Sequence, residues 1–201
     1  MTPEPRGAIL PQPYLYANIC AIICLKENGL VRALEFLGDL RPAFVAHLAE
    51  RMTEALCAST QMLADEAGYN APVRTHSILL YLLDQRTATL TEMARTDGQS
   101  HQLLASRLKP LENLGLIERS VDPNDARRRP YRLTPAGRAE AAAIRADIGA
   151  HARAMDELFA ETGVNLVEVL DDALEALRVR PLRERVDAQL AKQRQAADGG
   201  C

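Results

Sequence analysis

Tryptophan is absent from this 201-residue chain, and aromatic residues make up only 4% of it. Alanine and leucine abound instead, so helix should dominate. Long apolar runs are missing too. The longest clean one near the start, Ile19 to Leu25, is far short of the roughly 20 residues that cross a bilayer. The same region makes a poor secretion signal, with one arginine, two prolines just upstream and no small-residue cleavage site. A cytoplasmic protein is expected. Metal-ligand spacing is also lacking. Cys20, Cys24, Cys57 and Cys201 follow no zinc pattern and form no Cys-x-x-Cys pair. His47, His76, His101 and His151 are scattered, with no His or Cys three or four positions on. Gly-x-Gly-x-x-Gly, Gly-x-x-x-x-Gly-Lys and Gly-x-Ser-x-Gly are all absent. Asp171-Asp172 reads as a solvated helix face rather than an acid-base pair. No enzyme, no cofactor and no metal site are expected.

What is present is globular: 47% hydrophobic and 25% charged. One stretch, Thr89 to Arg138, organises the rest. Thr89 and Glu92 have capping-box spacing. Leu90, Met93 and Ala94 give the following helix, Leu90 to Thr96, an apolar face. Asp97-Gly98-Gln99 is a turn, and Ser100 is the natural N-cap of a second helix. That helix runs to about Asn113, with Leu104, Leu108 and Leu111 on one stripe. At ~100° per residue, Gln102, Ser106 and Lys109 lie opposite it. Two amphipathic helices joined by a short glycine-containing turn are a helix-turn-helix. Gly115 then fits a left-handed C-cap. Leu116 to Val121 and Pro130 to Thr134 read as paired strands. Between them lies a turn-rich tip, Asp122 to Arg129, with arginines at Arg127, Arg128 and Arg129. Helix-turn-helix plus basic hairpin is a winged helix, which lays one helix in the major groove and reaches along the backbone with the wing.

Charge follows the same division. Arg107 to Arg138 holds eight Lys/Arg against four Asp/Glu, a net of +4 in a chain whose total is −3. A basic head on an acidic body suits a protein that binds a site without adhering everywhere. Without the helix-turn-helix in front of it, the hairpin would read as a solvated loop.

Leu90 to Arg138 resembles the winged-helix core of the MarR family of bacterial transcription regulators. The matches are Leu111-Glu112 followed by Gly115-Leu116, the wing signature Asp125-x-Arg127, and Leu133-Thr134 followed by Gly137-Arg138. The resemblance implies that Asp125 braces Arg127 and that Arg127 contacts DNA. Two positions depart from the family: Pro110 lies inside the recognition helix, and Arg107 stands where an apolar residue is usual. The DNA-binding set is Ser100, His101, Gln102, Ser106, Lys109, Arg127, Arg128 and Arg129. Gln102, Ser106 and Lys109 are the face toward bases or phosphates, and the N-terminus at Ser100 suits a phosphate. For His101 the alternative is a surface residue of the capping region.

The rest of the chain is read as support. Residues 1–40 are an N-terminal extension of uncertain order: residues 1–13, with four prolines, are expected to be loose, and the stretch as a whole reads as a helical hairpin extending a dimer interface, as a poorly ordered tail or as sequence upstream of the true start. Residues 41–70 form a dimerisation helix opened by Pro42, with Phe44, Leu48, Met52, Leu56 and Leu63 on one side and Gly68 at its end. Residues 71–135 are the winged helix-turn-helix domain, in which Pro72 opens a helix ending near Asp84. Residues 136–195 hold the C-terminal dimerisation helices. Thr134 caps and Pro135 starts a helix of about 26 residues, with Ile144, Ile148, Met155 and Phe159 along it. A second helix follows Asn165, striped by Leu166, Leu170, Leu174 and Leu177, and one short helix follows Pro181. Residues 196–201 are a polar tail. The fold class expected is mainly α with a small β-hairpin: a winged head plus long terminal dimerisation helices.

Apolar stripes too long for one small domain predict burial against a second copy. The resemblance implies the same, with two heads on a pseudo-palindromic operator in double-stranded DNA. It also implies a small effector, often aromatic, or an oxidant that lowers DNA affinity. The cavity would lie where Phe44 to Leu56, Ile78 to Leu83 and the helix after Pro135 meet. The reading is a homodimeric sequence-specific transcriptional regulator, a repressor. Two alternatives stand beside it. One is a winged-helix dimer for protein-protein contact with no operator. The other is a thiol sensor using Cys20, Cys24 or Cys57, which otherwise read as small buried hydrophobes.

Overall fold

The computed structural model describes residues 34–121 and 128–198. It is mainly helical, with one small antiparallel sheet. The chain divides into two compact units at Arg145/Ala146.

The first unit opens on a 3-10 stretch, Glu35–Phe44, broken at Gly38 (φ 51°, ψ −126°). Pro42 lies in this stretch, and helix α1 begins at Val45 and runs Val45–Glu66. The start therefore falls later than the proline suggests. The Val45 N–H donates back to the Pro42 carbonyl, so Pro42 forms the lead-in rather than the first turn. Gly68, at φ 77°, ends the segment. Only Ala58 and Ala64 of α1 are buried, while Phe44 and Leu63 are 44% and 50% exposed. Of the stripe expected along α1, Leu48, Met52 and Leu56 are half-buried and its two ends, Phe44 and Leu63, are exposed.

Pro72 and a 3-10 turn, Val73–Thr75, lead into α2 (His76–Gln85). Strand β1 (Thr87–Ala88) follows, then α3 (Leu90–Asp97) and α4 (His101–Asn113). Strands β2 (Ile117–Arg119) and β3 (Tyr131–Leu133) form the hairpin expected there. The sequence pattern does not reveal β1, whose two residues are too few to show an alternation. It pairs with β3, which stands in the middle of the order β1-β3-β2. Leu79 and Leu82 of α2, Met93 of α3 and Leu104, Leu108 and Leu111 of α4 form one core with Ile117, Tyr131 and Leu133 of the sheet. Burying each large aliphatic side chain is worth ~1.5–3 kcal/mol.

Helix α5 (Pro135–Thr162) starts against this core through Ala141 and Ile144, both buried. Thr134 caps it as expected: its Oγ accepts the Gly137 N–H at 3.0 Å. A Cβ at Gly137 would collide with the Leu116 carbonyl oxygen, so only glycine lets the helix approach this closely. Glu140 secures the same end. Its carboxylate accepts the Asn70 N–H at 2.9 Å and the Ala71 N–H at 2.7 Å. The Arg145 guanidinium pairs with Asp84 at 2.7 Å.

The second unit holds the end of α5, then α6 (Leu166–Val179) and α7 (Leu182–Asp198). Asn165 caps α6, its side chain accepting the Val167 N–H at 3.1 Å. The α6 stripe is exposed, with Leu170, Leu174 and Leu177 at 46%, 65% and 44%. Arg185 closes the turn at Pro181 by donating to the Arg180 and Ala176 carbonyls. Helix α7, expected to be short, runs 17 residues and takes in the first half of the predicted polar tail. Its Ala, Gln, Lys and Arg content favours helix, and no Gly or Pro interrupts it before Gly199. Among the described residues no helix is long and apolar enough to cross a membrane.

Candidate nucleic-acid interface

Each helix of the pair α3–α4 is fixed at its start by its own sequence. Thr89 and Glu92 close a complete capping box: the Thr89 N–H donates to Glu92 Oε2 at 2.7 Å, and the Glu92 N–H returns to Thr89 Oγ at 3.3 Å. Gly98, at φ 64°, turns the chain. Ser100 Oγ then accepts the Leu103 N–H at 3.2 Å. Leu104, Leu108 and Leu111 are buried at 1%, 1% and 0% exposure. Burial of that stripe turns the other side of α4 outward. Ser100, His101, Gln102, Ser106 and Lys109 are accordingly all exposed.

Two further features of this face were not anticipated. Leu103 is 44% exposed beside Gln102, a position from which an apolar side chain can meet a thymine methyl. Ser106 donates its hydroxyl to the Leu103 carbonyl at 2.6 Å, leaving its oxygen as an acceptor. Pro110 does not interrupt α4, which continues to Asn113. It sits in the last turn, where a missing N–H withdraws one bond, from the Ser106 carbonyl. Arg107 is half-buried.

The hairpin root is tied to α4 and to α3. Arg119 pairs with Glu112 at 3.0 Å and lies 4.8 Å above the Tyr131 ring, a cation-π contact. Burial, then the Glu112 carboxylate, push the Tyr131 phenol above its ordinary pKa of 10.0. Arg132 pairs with Glu118 across the strands at 2.8 Å. Arg128 and Arg129 are exposed at the root. Arg128 donates to Glu92 Oε1 at 2.6 Å, a contact between residues too far apart in the chain for pattern reading to find. Asp125 and Arg127 lie outside the described residues, as do Cys20, Cys24 and Cys201. Cys57 is a half-buried free thiol on α1. Among the described residues no cluster of His, Cys, Asp or Glu could hold a metal.

The Glu92 carboxyl is held below its ordinary 4.5, first by the Thr89 N–H, then by the Thr89 hydroxyl, with Arg128 and Arg95 adding to them and burial opposing. A folded-state pKa lowered in this way contributes stability that is full above ~4.5 and is lost as pH falls through the folded value. Urea midpoints of the wild type and Glu92→Gln should therefore converge as pH falls from 6 to 3. A gap that stays constant over that range means the charge of Glu92 does not matter to stability.

A cavity of about 210 Å³ lies within the head, between α2, α3 and α4, and is lined by Ser77, Ile78, Tyr81, Met93, Thr96 and Leu104. It shares only Ile78 and Tyr81 with the segments expected from sequence to line one.

Comparison with known proteins agrees with this geometry. Residues 74–154 match the family described as HxlR-like helix-turn-helix. The fold resembles a MarR family transcriptional regulator from Silicibacter pomeroyi, with TM-score 0.51 and 23% identity over 67% of this chain and 95% of that one. Weaker likenesses include the adhesin competence repressor of Streptococcus pyogenes (TM-score 0.43, 19% identity, 65% of this chain and 95% of that one). Another is ZitR of Lactococcus lactis (TM-score 0.40, 24% identity, 54% of this chain and 74% of that one). No protein of curated function matches the sequence. The head has the winged helix-turn-helix fold of MarR-type regulators.

Proposed function

We propose that this chain, with its MarR-type winged head, is a homodimeric transcriptional repressor that binds double-stranded DNA by sequence. One observation carries the reading. Helix α4 buries its leucine stripe and turns Gln102, Ser106 and Lys109 outward beside an arginine-bearing wing. Gln102 suits an adenine edge, and the exposed N-terminus at Ser100 and His101 suits a phosphate. Arg129 is assigned a phosphate contact on the wing side, and the family resemblance implies another from Arg127, braced by Asp125.

Dimerisation is supported by the apolar faces each unit leaves exposed. Phe36, Leu40 and Val45 are 85%, 67% and 66% exposed in the first unit, and α6 shows its leucines in the second. A second copy is the commonest cover for such faces. Two heads on successive major grooves would meet half-sites ~34–36 Å apart. A small effector or an oxidant releases the DNA by binding the two head spacings unequally. Cys57 is the described candidate for the oxidant route.

The test is a gel shift on the DNA upstream of the protein's own gene, at two salt concentrations, with random competitor. Retention that survives competitor and weakens with salt supports the reading. A folded dimer that retains neither this DNA nor any duplex selected from a random pool points to protein-protein contact, which the net charge of −3 favours.

A further inference from the structure

Glu92 occupies the third position of a capping box, a place that needs only an acceptor. Its Oε2 meets that need, accepting the Thr89 N–H at 2.7 Å and the Thr89 hydroxyl at 2.9 Å. The other oxygen, Oε1, faces away from the cap and takes the Arg128 guanidinium at 2.6 Å. One carboxylate thus joins the start of α3 to the root of the wing. Around it the backbone is already drawn together. Ala88, immediately before the cap, pairs with Tyr131 of β3. Ser120 donates to the Pro130 carbonyl at 2.8 Å, the rung nearest the wing. Arg128 stands just beyond that rung, between Arg127 and Arg129, with Glu92 on the helix-turn-helix side.

We propose that Glu92 is a positioning residue for DNA recognition: it pins Arg128 and so sets where the wing stands relative to α4. The assignment rests on the DNA-binding reading above. Arg128 is held by Glu92 rather than left to the duplex. A wing held in place before binding loses less freedom when it docks, and that difference appears as affinity. The gain is confined to the site where α4 and wing must engage together. Binding to random DNA depends mainly on charge number, and there a carboxylate is only a liability.

Glutamine serves a capping box as well as glutamate does. Glu92→Gln therefore keeps the cap and removes the ionic pin. Measured on a duplex selected by the wild-type dimer from a random pool, Glu92→Gln should bind roughly three- to ten-fold more weakly, the range a partly exposed ion pair acting in two heads can supply. Its affinity for random DNA should be unchanged or higher. Arg128→Gln should show the same loss on the selected duplex with the wild-type salt slope. The double variant should be no weaker than either single one. Hydrogen exchange at the Ser120 amide gives a readout without DNA, and both variants should speed it several-fold.

Tighter binding by Glu92→Gln, with a salt slope lowered by about one per head in Arg128→Gln, would overturn the inference and make Arg128 a phosphate contact restrained by Glu92. Unchanged exchange at Ser120 in both variants overturns it as well. If the wild type selects no duplex, the DNA reading fails, and Ser120 exchange still decides whether Glu92 positions the wing.

Discussion

Gly137→Ala is expected to destabilise the head by about 3 kcal/mol, with a melting temperature lower by roughly 10 °C. The cause is space rather than backbone freedom, since Gly137 lies in the first turn of α5. A methyl there collides with the Leu116 carbonyl oxygen, a backbone atom that cannot rotate aside. That oxygen also accepts the Thr134 N–H at 3.0 Å. Moving α5 away breaks this bond and withdraws Ala141 and Ile144 from the core. Gly149 is the internal control. A Cβ there meets only the end of the Arg153 side chain at 3.7 Å, so Gly149→Ala should gain up to ~1 kcal/mol of helix propensity. Opposite signs for the two substitutions in urea denaturation are the expected result. Equal signs would remove close approach as the reason for Gly137.

The second large effect concerns DNA. Replacing Arg127, Arg128 and Arg129 together with glutamine should weaken binding to the selected duplex by at least ~100-fold near ~0.15 M salt. Removing Arg127 and Arg129 from the phosphates reduces the salt slope by about two per head, and release of the Arg128 pin adds to the fall in affinity. Affinity titrations at several salt concentrations measure both numbers. The dimer should remain intact, because the exposed apolar faces proposed for pairing lie on other elements. A triple variant that keeps its slope and its affinity would leave the wing without a role on DNA, and protein-protein contact would become the better account.

The two reading helices were legible because everything that defines them is local. Thr89 with Glu92, Ser100, Gly98 and three leucines four and three residues apart each act within one or two turns. The Thr134 cap and the Gly115 turn were visible for the same reason. What escaped depends on distant partners. Strand β1 is two residues long and exists because β3 lies beside it. The contact between Glu92 and Arg128 needs the folded hairpin to bring them together. The need for glycine at position 137 is set by a carbonyl across the fold, so the sequence match at Gly137-Arg138 pointed to the residue without its reason. The apolar stripe of α1 was visible as a pattern, but not that its middle would be half-buried and its ends, Phe44 and Leu63, exposed.

The strand order carries a consequence for synthesis. Strand β3 is the last of the three to be made, and both others pair only with it. Until Tyr131 to Leu133 leave the ribosome, β1 and β2 have no partners, and α3 and α4 lack part of their cover. Ala141 and Ile144 follow later still. At ~5–20 residues per second, several seconds separate the emergence of Thr87 from that of Ile144. A nascent chain halted within that interval holds both reading helices and cannot yet hold them together. Competence to read DNA is therefore conferred late, by residues that need not touch it.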